Sequence, residues 1–124
     1  MSKVLVSCII KQNEKIIKSE QLGILNKGVL QFITSYQKTK YNLNFDKDEL
    51  IRDNEQFKMV YSFDKKKESY YYLKEINKKL IIPLEIKKIK KTSMSYLVEY
   101  VIEGQSDLIS FEVDVKENSN EATN

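Results

Sequence analysis

A single arginine, eight tyrosines, a single cysteine and no histidine set the chemistry this chain could perform. Without His there is no Ser-His or Cys-His nucleophile pair and no imidazole metal site. A Ser-Lys pair would survive that exclusion, but both residue types are too common here for any one pair to stand out. Cys8 has no second thiol with which to form an internal disulfide or a thiolate cage. Asp46, Asp48, Glu49 and Asp53 crowd one short stretch, and Ca²⁺ wants clustered oxygens. Their spacing does not fit an EF-hand loop, so a solvated turn is the expectation. No Gly-rich phosphate loop occurs. With no catalytic or cofactor signature, the expectation is a protein that is not an enzyme and uses no cofactor.

The tyrosines are more informative. Tyr61, Tyr70, Tyr72, Tyr96 and Tyr100 fall on or near positions expected to face inward. Each buries a large ring and brings a hydroxyl that needs a partner. In lipid-binding barrels an interior Arg with Tyr can hold a ligand carboxylate, and Arg52 is the arginine available for that role. Turned inward, it would suit an apolar anion. Turned outward, it would leave a packed barrel with wet Tyr hydroxyls at its mouth. Arg52, Tyr61, Tyr70, Tyr72, Tyr96 and Tyr100 are therefore the candidate ligand-binding residues, with both orientations of Arg52 open.

The elements that must position them follow a two-residue period. Val4, Val6, Cys8 and Ile10 alternate with polar neighbours, as do Tyr41, Leu43 and Phe45. Phe57, Met59, Tyr61 and Phe63 share a face, as do Met94, Tyr96, Val98, Tyr100 and Ile102, and then Ile109, Phe111, Val113 and Val115. Leu30, Phe32 and Tyr36 are expected on one face, with Thr34 between them. Tyr70, Tyr72 and Ile76 are expected on one side of their strand, Tyr71 and Leu73 on the other. Leu80, Ile82, Leu84 and Ile86 line up, with Pro83 opposite them. Proline cannot donate to a ladder, so that strand should be bulged or lie at an edge there. Asn26–Gly28 supplies residues a tight hairpin wants, and a bend is expected near Gly23. Leu50–Ile51 reads as a short apolar piece between turns. No segment sustains a helical period.

About eight or nine strands with short connections favour sequential antiparallel pairing, and the apolar face must then be covered, by closing into a barrel or folding over as a sandwich; closure also removes exposed edges. The fold expectation is all-β, a single antiparallel meander barrel over residues 1–116, with 117–124 as a frayed tail. At that strand number a barrel is either filled by its own side chains or holds one small ligand. An internal cavity of ~300 Å³ or more with a polar group inside would favour the ligand.

From Leu50 onward the order "LIRDNEQFKMVYSF", "SYYYL", "LIIPLEIKKI", "YLVEYVIEG", "LISFEVDV" resembles the YwiB-like family. These are small proteins of low-GC Gram-positive bacteria and their relatives. Gly23 and "LQFITSY" stand where that family has a Gly and a Tyr-ended strand. Ile76-Asn77 departs from its frequent Tyr-Gly. The resemblance implies a calycin-like (lipocalin-like) β-barrel and carries over no catalytic residue.

Composition bounds the partners. The chain has 124 residues, net charge +3, 41% hydrophobic and 31% charged residues, which suits one soluble globular domain. Every basic residue except Arg52 is Lys, a poor reader of bases, so nucleic acid is an unlikely partner and weak single-strand binding the last alternative. The basic run Lys87–Lys91 reads as the exposed end of a strand. "LVSC" at Leu5–Cys8 resembles a lipoprotein cleavage box, but the apolar stretch before it falls short of the ~7–15 residues a signal needs. Cys8 reads better as a buried small hydrophobe, and no apolar run reaches a membrane span. The expected setting is the cytoplasm. The leading function is binding a small, mostly apolar molecule inside the barrel. The alternative is a protein partner on an outer sheet face, where Leu5, Ile9, Leu97 and Val101 would be exposed.

Overall fold

A computed structural model describes residues 2–118. Eleven strands run in chain order: β1 (Ser2–Gln12), β2 (Lys15–Asn26), β3 (Val29–Thr34), β4 (Thr39–Asn44), β5 (Glu49–Asp53), β6 (Phe57–Ser62), β7 (Ser69–Leu73), β8 (Lys78–Ile82), β9 (Leu84–Lys91), β10 (Ser95–Ile102) and β11 (Ile109–Glu117). All pair antiparallel in one sheet, ordered β8-β7-β6-β5-β4-β3-β2-β1-β11-β10-β9. The two edge strands, β8 and β9, are consecutive in the chain and separated only by Pro83. One extended run therefore pairs with β7 before Pro83 and with β10 after it, which brings the sheet round into a nearly closed barrel. Proline suits the switch, because a residue between two partners has no ladder bond to donate. Its carbonyl accepts from the Glu103 amide at 2.9 Å.

Eleven strands replace the eight or nine expected. Leu50–Ile51 forms a full strand, because β4 and β6 supply ladders on both sides. The run "LIIPLEI" counts twice, because its partner changes at Pro83. The last strand includes Glu117, one residue past the expected boundary; the rest of the tail, from residue 119, lies outside the described residues.

Registry carries the two-residue period across the sheet. Val6 faces Val115, Tyr96 faces Val113, and Leu30 faces Leu43, all with their side chains inside. Phe32 stacks on Tyr41 with centroids 4.8 Å apart, Phe45 meets Tyr96 edge-on at 5.5 Å, and Phe63 packs on Tyr100 at 5.8 Å. These rings fill most of the lumen. Gly23 sits where β2 presses against β1 and β3: a Cβ there would lie 2.7 Å from the Gln31 carbonyl oxygen and 2.8 Å from Val6 Cγ2. Lys27 and Gly28, with φ of 50° and 78°, form the two-residue turn into β3, and Asn26 is the flanking pair residue.

The inward assignment of Tyr36 is corrected. Tyr36 is 69% exposed, because β3 ends at Thr34 and the chain turns outward through a 3₁₀ turn at Tyr36–Lys38. No helix among the described residues is long and apolar enough to cross a membrane.

Candidate functional site

Leu50 and Arg52 lie two apart on β5 and share its inner face; Arg52 stands opposite Tyr41 on β4 and Met59 on β6. Arg52 thus points into the barrel, which resolves the alternatives left open by its charge. Its Nη1 donates to the Tyr61 hydroxyl at 3.2 Å, and that hydroxyl donates to Met59 Sδ at 3.3 Å. The guanidinium carbon lies 5.3 Å from the Tyr41 ring centroid and 6.0 Å from that of Phe57, within cation–π range. Its Nε is buried and has no hydrogen-bond partner among the described residues.

Beside this guanidinium the packing stops. A pocket of ≈ 140 Å³ opens at the end of the barrel that carries the β1–β2 and β3–β4 turns. Arg52, Tyr41, Cys8, Ser19, Thr34 and Thr39 line it together with Ile10, Ile17, Lys18, Ser35 and Tyr36, of which Ile17 and Tyr36 are exposed. The Thr39 hydroxyl accepts from Asn54 Nδ2 at 3.2 Å, which holds that wall to the β5–β6 connection.

The electrostatics are one-sided. Burial pushes the Cys8 thiol up to about 12, with Arg52 and Ser19 pulling weakly the other way. Burial likewise raises the Tyr41 and Tyr100 hydroxyls. Burial opposes the Arg52 charge, but the phenolic oxygens of Tyr61 and Tyr41 outweigh it, so its pKa stands above the ordinary value. A cation is therefore set among neutral groups, and no ion pair to Arg52 occurs among the described residues.

Compared with family models, curated proteins and solved structures, the chain matches none. The site has to be read from its own geometry.

That geometry sorts the sequence-derived candidates into three groups. Arg52, Tyr61 and Tyr100 come together, with the two Tyr rings 6.1 Å apart. Tyr96 is fully buried but serves the opposite end, where its hydroxyl donates to Asp48 Oδ1 at 2.8 Å. Lys91 joins the same carboxylate at 2.9 Å and donates to the Phe45 carbonyl at 2.8 Å, tying the β9–β10 turn to the β4–β5 turn. Tyr70 and Tyr72 are corrections: both face outward. The β6–β7 register sets Tyr71 opposite Met59 and Leu73 opposite Phe57, so the neighbours Tyr70 and Tyr72 project from the other side. Lys79 Nζ lies 4.3 Å from the Tyr70 ring centroid, and the Tyr72 hydroxyl donates to Asn77 Oδ1. Ile76, expected on the same inner side, is exposed in the turn after β7. Sequence reasoning put Tyr41 and Cys8 in the core without assigning them to a site, and it passed over Ser19, Thr34 and Thr39. Thr34 and Thr39 are small polar residues at inward positions of apolar strands, and that was the available signal.

The larger hollows, ≈ 780, ≈ 770 and ≈ 620 Å³, are surface clefts between turns or along the Pro83 seam. The acidic stretch does not converge: Asp48 is taken by Lys91 and Tyr96, and Asp53 pairs with Lys74 at 2.7 Å. No group of three or more potential metal ligands comes together among the described residues.

Proposed function

We propose that this protein is a calycin-type binding barrel, kin to the YwiB-like family, that holds a small, mostly apolar molecule at the Arg52 end of its interior. The carrying observation is that tight aromatic packing gives way to a lined pocket at one place inside the barrel, beside a buried donor with nothing to bind. Native interiors rarely leave such a donor without a partner, and those that persist call for an explanation. The volume limits the occupant. At ≈ 140 Å³ the pocket falls short of the ~300 Å³ expected of a ligand cavity, so what supports the reading is its polar lining and not its size, and the occupant can be no larger than roughly four or five waters at ~30 Å³ each. Binding is favoured over catalysis because the one thiol at the site is held protonated, far from a nucleophile's range. A reducing cytoplasm suits that lone thiol.

Native mass spectrometry of the protein purified from its own host tests the reading. The expected result is a co-purifying small molecule, displaced when Ile17→Trp blocks the entrance. A wild-type chain that always arrives empty would leave the reading without support.

A second reading has its own observation. Leu5, Leu22, Ile24 and Ile33 stand exposed on the outer face of β1–β3, where a protein partner would bury them. Their replacement by Ser or Thr should abolish any self-association or co-purifying partner seen by light scattering. It should leave small-molecule binding unchanged.

A further inference from the structure

Resting on the pocket reading, we infer that the bound molecule is a short-chain monocarboxylate, its carboxylate seated against the Arg52 guanidinium and its hydrocarbon end lying toward Ile10 and Ile17. Charge balance makes the argument. Two cations line the pocket and no carboxylate does: Arg52 at an inward strand position, among phenols, hydroxyls and a protonated thiol, and Lys18, which pairs with Ile9 on the outward-facing register of β1 and β2. Arg52 is half-buried with no counter-ion beside it, and an incoming anion offsets the desolvation that its burial imposes. The guanidinium is also fixed in place. Tyr61 holds Nη1 and the Tyr41 ring packs beside the guanidinium, so the group is presented in one orientation. A carboxylate matches a guanidinium edge with two parallel N–H···O contacts.

Size and polarity set the rest of the ligand. The pocket admits only a few carbon atoms beyond the headgroup. Ile10 and Ile17 give an apolar lining at the entrance, with Ile17 46% exposed at the rim. A phosphate dianion fits less well, because a single guanidinium would leave one of its charges uncompensated.

Calorimetric titration of the full chain with butanoate, hexanoate, 1-butanol, 1-hexanol and inorganic phosphate tests this. The expected result is one-to-one binding of a carboxylate, with the matching alcohol and phosphate each at least about tenfold weaker. Arg52→Gln should weaken carboxylate binding by at least about tenfold, and Arg52→Lys should recover part of it. Circular dichroism confirms that each variant is folded, and the Arg52 Nε–H resonance should shift on adding carboxylate and stay put with alcohol. Alcohols that bind as tightly as the acids, or an Arg52→Gln variant of unchanged affinity, would overturn the carboxylate and leave the small-molecule pocket standing. Binding by neither the acids nor the alcohols would overturn both.

Discussion

At the scale of single residues, Arg52 is the place where this protein departs from the rule that buried charges are paired. If Arg52 is held for a ligand, it does little for the empty barrel. Arg52→Met should then change unfolding free energy by no more than about 1 kcal/mol in denaturant titration, because an apolar side chain of like length removes an unpaired charge. A loss of about 3 kcal/mol or more would make Arg52 a structural strut between Tyr41 and Tyr61 and weaken its assignment to a ligand. Cys8 and the buried tyrosines make a second, opposite statement. Their folded pKa values are raised, the thiol from 9.0 to about 12, so folding keeps protons that the unfolded chain releases. The stability they contribute is complete below pH 9.0 and is lost as pH climbs toward 12. Melting temperature should accordingly be flat from pH 7 to 9 and fall steadily above it, steeper in the wild type than in Cys8→Ala. An equal slope in Cys8→Ala would show that the thiol is not part of the effect.

At the scale of elements, alternation disclosed the inner side of β1, β4, β10 and β11, because one face of each of these strands is buried and the other is not. It failed where the pattern is degenerate. "SYYYL" is aromatic at three successive positions, so nothing in it says which Tyr faces in; the register with Met59 decides. Arg52 carried the same lesson. The sequence left its direction open, because Leu50 and Ile51 are both apolar and do not say which face is inside; the register with Tyr41 and Met59 decides. Turns were legible where Gly or Asn occurs and in the polar run Asp64–Glu68, where Lys67 donates back to the Asp64 carbonyl. The β3–β4 turn puts Gln37 and Lys38 at φ of 56° and 46°, the left-handed pair a tight hairpin needs, with neither Gly nor Asn to ease it. Each side chain there costs ~1–2 kcal/mol, against the ~0.5–1 kcal/mol by which Gly loosens the unfolded chain. Lys38→Gly should therefore stabilise by about 0.5–1 kcal/mol and raise Tm by ~2–4 °C. A fall in Tm would mean that Lys38 makes a contact worth more than the strain it bears.

At the scale of the whole molecule, a rolled meander was legible because every apolar set needs cover and every connection is short. Closure was expected and Pro83 was marked as a bulge or edge, but the way the barrel closes was not legible, because a change of partner in the middle of a strand leaves no mark in a one-dimensional pattern beyond that one proline. That closure has a thermodynamic consequence. After Pro83, β9 pairs only with β10, so half of its backbone groups face the cleft along the seam. β8 is likewise paired on one side only. The edge is screened from other chains by charge: Lys87, Lys88 and Lys90 are all exposed on β9, in keeping with the way natural sheets guard free edges. The barrel should thus open from this seam and not from the pocket end, where β1 is paired along its length with both β2 and β11. Native-state hydrogen exchange followed by NMR gives the check. Amides of β9 directed away from β10, and those of β8 directed away from β7, should exchange with opening energies close to zero, while β1, β10 and β11 exchange only with global unfolding. Adding a pocket ligand should slow the β1, β4 and β5 amides and leave the seam fast, since the two lie on different parts of the wall. Seam amides as protected as those of β1 would mean that the barrel is fully closed in solution, and the proposed order of opening would fall.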